Sequence, residues 1–180
     1  MALVQPGPRL YEMGVVVIFL VKAFFLLTFI SCPNTGKEVD VQGNYSRAFV
    51  FVVGMEGYKS DDPNDPGGRT IWGISEKHHP EVVAKIWDLP ADQAKKEAEK
   101  FYRDNYWNAV KGDDLPDGHD IMAFDAAVNQ GPGFARSIVG LPLILQVAAR
   151  IERYANSATW RHHGRGWMRR LLYLIREVSR

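Results

Sequence analysis

EGYKSDDPNDPGGRTIWGI, residues 56–74, decides how the rest of the chain is read. An apolar run, Val50-Phe51-Val52-Val53-Gly54-Met55, leads into Glu56 and reads as the last turns of a buried helix. Asp62-Pro63, Asp65-Pro66 and Gly67-Gly68 follow. Proline fixes φ, Asx side chains close local turns and glycine reaches φ > 0, so the segment is a stiff, turn-rich loop. Thr70-Ile71-Trp72-Gly73-Ile74 then alternates and is β-prone. A carboxylic acid leaving an apolar helix end, facing a rigid loop that carries more carboxylates, suits acid/base work on a polar substrate.

Working outward, the helix that delivers Glu56 is expected over residues 46–55, with Ser46 as its N-cap and Phe49, Val50, Val52 and Val53 as its apolar residues. Downstream, Pro80 opens a short helix over 81–87. A longer one over 91–106 sets Ala94, Ala98, Phe101 and Tyr102 on one face. Residues 108–118 are a Gly-, Asp- and Pro-rich loop. The run IMAFDAAVN within 119–129 is a buried helix, stopped by Gly131-Pro132-Gly133. Residues 134–155 are mostly helical with Pro142 near a helix start, and 167–178 form a last amphipathic helix. The fold class is therefore mainly α, with a small hairpin or loop lobe around 57–74.

At 180 residues there is length for one domain with a real core. A net charge of +1 calls for no nucleic acid. The charge is uneven: Arg150, Arg153, Arg161, Arg165, Arg169, Arg170, Arg176 and Arg180 crowd the end of the chain, against Glu152 and Glu177. Two readings stand, a basic face for an anionic polymer or membrane surface, and a solvated helix face. Cys32 is the single cysteine, so no internal disulfide forms.

Residues 14–30, GVVVIFLVKAFFLLTFI, are apolar but for Lys22 and Thr28. The run falls short of the ~20 residues that usually span a bilayer, and a mid-membrane lysine costs about 3 kcal/mol. It reads as a membrane-directing segment: a signal peptide core, a signal anchor or a signal-arrest-release element. Phe29-Ile30-Ser31-Cys32 is a lipobox-like ending, and a buried element of the domain is the bland alternative. The expected division is residues 1–43 as hydrophobic segment and linker, and 44–180 as the working domain. Membrane association would run through residues 14–31, and the domain would act exported or anchored at the inner membrane, in the periplasm or cell wall.

The 56–74 stretch resembles the signature of glycoside hydrolase family 108 lysozymes, roughly E-G-G-Y-x-x-D-P-x-D-P-G-G-x-T-x-x-G-I. The chain keeps Glu56-Gly57, Asp62-Pro63, Asp65-Pro66-Gly67-Gly68, Thr70 and Gly73-Ile74 in register without a gap. It departs at Tyr58-Lys59, which stands for Gly-Tyr. Tyr102-Arg103-Asp104-Asn105-Tyr106-Trp107 looks like the family's Y-R-x-x-Y-W segment. Residues 124–133 look like F-D-x-A-V-N-x-G-x-G, and Gly164-Arg165-Gly166-Trp167 resembles a G-R-G-W near the family's C-terminus. Only about thirty residues separate the last two motifs, so the lower lobe is expected to be short.

The resemblance implies a lysozyme-like α+β fold and an N-acetylmuramidase of phage or bacterial type, an endolysin or a wall-opening enzyme. Its substrate would be the glycan strands of peptidoglycan. Glu56 would be the general acid, and its apolar surround raises a carboxyl pKa in the direction a proton donor needs. Asp65 would stabilise oxocarbenium character or orient water, or else close an Asx turn. Thr70 would position water, or else serve as an ordinary strand residue. Tyr58 and Tyr106 can stack on sugars, whereas Trp107 is expected in the core. Asp125 and Asn129 share one helical face, which floors the groove or carries a buried polar network. The adjacent pairs His78-His79 and His162-His163 point apart, so no metal is expected, and no cofactor. A lytic transglycosylase with the same glutamate, or a non-catalytic wall-binding protein on the same scaffold, are the alternatives.

Overall fold

Helix α1, Val41–Glu56, buries Tyr45, Ala48, Phe49, Val52 and Val53, the i, i+3, i+4, i+7, i+8 stripe of a helix laid on a core. The computed structural model describes residues 41–61 and 68–180, with residues 41–43 and 56 described by backbone alone. The expected start at Ser46 is corrected: the helix begins five residues earlier and Ser46 lies exposed within it. Val50 is corrected too, since it falls off the stripe and faces solvent. Gly57, at φ 80°, ends the helix in the left-handed conformation that glycine adopts without Cβ strain. The hydrophobic run at 14–30 and Cys32 lie outside the described residues. Among those residues no helix is long and apolar enough to cross a membrane.

A three-stranded antiparallel sheet follows: β1 Lys59–Ser60, β2 Thr70–Ile71 and β3 Ile74–Ser75, in that order. Lys59 pairs with Ile71 and Ser60 with Thr70; Ile71 pairs with Ile74 and Thr70 with Ser75. The β2–β3 connection is Trp72-Gly73, both at positive φ (51° and 78°), as a tight two-residue hairpin turn requires. The β-prone stretch 70–74 is thus a hairpin folded on itself, within the small lobe expected around 57–74. Tryptophan has no preference for that backbone, so tertiary contacts hold it there. Its ring meets Tyr58 at 4.8 Å, its backbone N–H donates to the Tyr58 carbonyl, and the Tyr102 hydroxyl donates to its backbone carbonyl.

Helix α2, Pro80–Ile86, and α3, Ala91–Tyr102, cover one side of this sheet and core. Lys59 ties the sheet to the end of α2, donating to the Trp87 carbonyl with its ammonium 3.9 Å from that ring. The residue that departs from the family signature therefore has a local structural partner. Helix α3 stops four residues before its expected end, and a π-helical turn, Arg103–Trp107, continues the chain. Ala94, Ala98 and Tyr102 are buried as expected, and Trp107 is core. Two short 3-10 turns, Asn108–Val110 and Gly112–Asp114, replace the expected loop. A Cβ on Gly112 would stand 2.3 Å from the Trp107 ring, so glycine is the residue that lets the chain pass.

Helix α4, His119–Gln130, is buried over eight consecutive residues and is the axis of the fold, with α1 packed against it. Tyr45 and Trp107 both meet Phe124 edge-on, at 5.8 and 5.6 Å, an arrangement the ring quadrupoles favour. Helices α5 Pro132–Ile138, α6 Leu143–Ala155 and α7 Trp160–Val178 complete the domain. The last helix starts seven residues earlier than expected, so Gly164-Arg165-Gly166-Trp167 lies inside it. Gly164 admits the Trp160 ring, whose nearest atoms lie 2.8 Å from where a Cβ would stand.

Candidate active site

The acid at the head of the signature is placed by the C-terminus of α1. Glu56 is the last helical residue, and Gly57 turns the chain away towards β1. Met55, one residue earlier, is partly exposed and lines a depression of about 500 Å³ together with Asn129, His162, His163, Trp167 and Arg169. A second depression of about 260 Å³ takes in Ser75, His78, Tyr102, Tyr106 and again Asn129. Asn129 is thus the shared wall of two hollows, one against α7 and one against the β-hairpin. A larger hollow of about 570 Å³, between Phe134 and Ser157, shares no residue with either.

Thr70 is half-buried in the central strand, hydrogen-bonded between β1 and β3. Asp65 and the rest of the loop 62–67 lie outside the described residues. Where the chain returns, it is pinned: the Arg69 guanidinium pairs with Glu76 at 2.6 Å, and the Glu76 amide donates to the Arg69 carbonyl. The hydrogen bond from Arg69 is the main reason the Glu76 carboxyl titrates below its ordinary range.

Tyr58 is exposed and packs on Trp72 at the edge of the sheet. Tyr106 is half-buried, 5.6 Å from the Tyr102 ring, and faces the smaller hollow; burial pushes its hydroxyl pKa up. Both aromatic candidates therefore have surface to offer a ligand.

Asp125 requires a correction. It is wholly buried and cannot floor a groove, because its carboxylate is held between two guanidiniums, Arg150 at 2.6 Å and Arg170 at 2.8 Å. Burial alone would raise its pKa, but the two cations and their hydrogen bonds outweigh burial and hold it below the ordinary carboxylate value. The same network reaches Asn129. Arg150 donates to the Tyr154 hydroxyl at 3.3 Å, and that hydroxyl donates to Asn129 Oδ1. With Oδ1 engaged, the Asn129 amide nitrogen is the half of the side chain left to serve the hollows.

Sequence reasoning missed Arg150, Tyr154 and Arg170. The two arginines counted there as part of a basic surface, yet they are core residues. A usable signal existed: an aspartate inside an otherwise apolar helical run needs a buried cation. Arg161, Arg165, Arg169 and Arg176 do face solvent.

The comparisons agree with this architecture. Residues 49–131 match the family described as Glycosyl hydrolase 108. Among solved structures, "Structure of Brucella abortus SagA" is similar at 27% identity and a TM-score of 0.60, covering 77% of this chain and 95% of that one. No curated protein matches the sequence.

Proposed function

We propose that this chain, whose residues 49–131 match the glycosyl hydrolase 108 family, is a glycoside hydrolase, a peptidoglycan N-acetylmuramidase with Glu56 as general acid. Glu56 protonates the oxygen bridging N-acetylmuramic acid and N-acetylglucosamine while water attacks the anomeric carbon. Asp65 steadies the oxocarbenium character or orients that water, and Thr70 positions it. Tyr58 and Tyr106 offer faces to sugar rings, and Asn129 offers its amide N–H. Residues 1–43, with the apolar run at 14–30, direct the enzyme towards the wall, and 44–180 carry out the chemistry.

One observation carries the reading. The acid of the signature ends α1 with its neighbour Met55 lining a hollow, and that hollow shares a wall, Asn129, with a second one. A polymer strand needs binding surface on both sides of the bond it loses.

The test compares wild type with Glu56→Gln on purified peptidoglycan. General acid catalysis is worth roughly 10²–10⁴-fold, so the variant should lose at least 10²-fold in turbidity clearance. Mass spectrometry of the wild-type products should show a reducing muramic acid end. A product lighter by one water would instead mean a transglycosylase. Equal clearance by both proteins would remove the catalytic role of Glu56.

A further inference from the structure

We propose that the hollow between the end of α1 and α7 binds the anionic peptide that hangs from muramic acid, with Arg169 pairing a peptide carboxylate. The inference rests on the muramidase reading and deepens it, because it says what separates this enzyme's substrate from an uncharged glycan.

Among the residues whose side chains are described, which leaves out Glu56, no aspartate or glutamate lines this hollow; Arg169, His162 and His163 do. Arg169 is exposed and has no ion-pair partner among those residues. Its neighbours are committed elsewhere, with Arg150 and Arg170 on Asp125 and Arg153 over the Phe134 ring. An arginine fork fits a carboxylate through two parallel hydrogen bonds, and an imidazole offers a donor nitrogen in either tautomer.

Trp167 forms an aromatic floor that is fixed before any ligand arrives. Its ring is stacked on Tyr154 at 4.8 Å and 16°, with His163 5.6 Å away, and Tyr154 is itself hydrogen-bonded to Asn129. A basic rim over a rigid aromatic floor suits a short acidic peptide, whose apolar side groups meet the ring while its carboxylates meet the rim. Met55 lines the same hollow and directly precedes Glu56, so a peptide lying there belongs to a sugar next to the scissile bond. Chitin strands are built of the same N-acetylated sugars but carry no acid, and would gain nothing from Arg169.

The experiment measures binding without turnover, using full-length Glu56→Gln and two soluble probes, the muramyl disaccharide with a tetrapeptide and the same disaccharide without it. Calorimetry should show the peptide-bearing probe binding about tenfold tighter, the scale of one charge-assisted contact. Adding Arg169→Gln should bring the two affinities together. Adding Arg161→Gln, an exposed change on the same helix that lines no part of the hollow, should leave the difference intact. Equal affinities for the two probes, or equal losses from the two arginine changes, overturn the proposal. If the peptide preference holds while wild type cleaves no peptidoglycan, the subsite stands and the muramidase reading falls.

Discussion

Replacing Asp125 with asparagine removes one negative charge from a site holding two positive ones. Arg150 is wholly buried and Arg170 is 7% exposed, so neither cation can turn to water for compensation. Breaking a buried pair by deleting one partner costs about 3–5 kcal/mol. Asparagine keeps the shape and one acceptor oxygen, which puts the expected loss near the low end, about 3 kcal/mol. In a domain of this size, that lowers Tm by about 10 °C. The pH dependence has a definite sign. The folded pKa lies below the unfolded value, so the carboxylate's contribution is present above the unfolded pKa, about 3.9, and fades as pH falls through the folded one. Thermal melts followed by circular dichroism should therefore show a constant gap between wild type and Asp125→Asn from pH 5 to 8. The gap should narrow only in acid, as the wild-type carboxylate protonates. A variant melting within 2 °C of wild type at pH 7 would refute the claim that this triad is charged and dry.

Two further outcomes follow from the geometry. Tyr154→Phe deletes the hydroxyl that holds Asn129 Oδ1, so KM should rise about three- to tenfold with kcat little changed, from one hydrogen bond of orientation; steady-state kinetics with KM within twofold of wild type would show that Asn129 needs no holding. Gly112→Ala places a methyl group 2.3 Å from the Trp107 ring, so the buried indole must shift at an overpacking cost of about 1–3 kcal/mol, read as a lower denaturant midpoint.

What could be read from the chain and what could not divide along a physical line. The apolar positions Phe49, Val52 and Val53 that lead to Glu56, and the run in α4 that is apolar but for Asp125, are local patterns, and the residues that set them lie within a few turns of each other. The Trp72-Gly73 turn is different. Nothing in a tryptophan asks for φ of 51°, and the groups that hold it there come from Tyr58 and from Tyr102, thirty residues away. The arginines of α6 and α7 show the same limit more sharply. Helical spacing puts a cation on a face, but whether that face meets water or Asp125 depends on packing between segments 25 and 45 residues apart. The pairing of Asp125 with Asn129 on one face was visible; that one residue would go to the charge network and its neighbour a turn later to the hollows was not.

That division of labour along α4 explains why charge sits in the core. Three ionised side chains contribute little net stability, since apolar residues of the same volume would hold a core as well or better. They do something apolar packing cannot, because a carboxylate between two guanidiniums fixes direction as well as contact. Arg150 and Arg170 bring α6 and α7 to one register against α4, and Arg150 passes that register on through Tyr154 to Asn129. The wall shared by the two hollows is thereby set by the same carboxylate that seats the last helix. A groove that must hold a glycan strand to within about 0.5 Å needs such a directional anchor behind it, and α4 supplies one a single turn from the surface it serves.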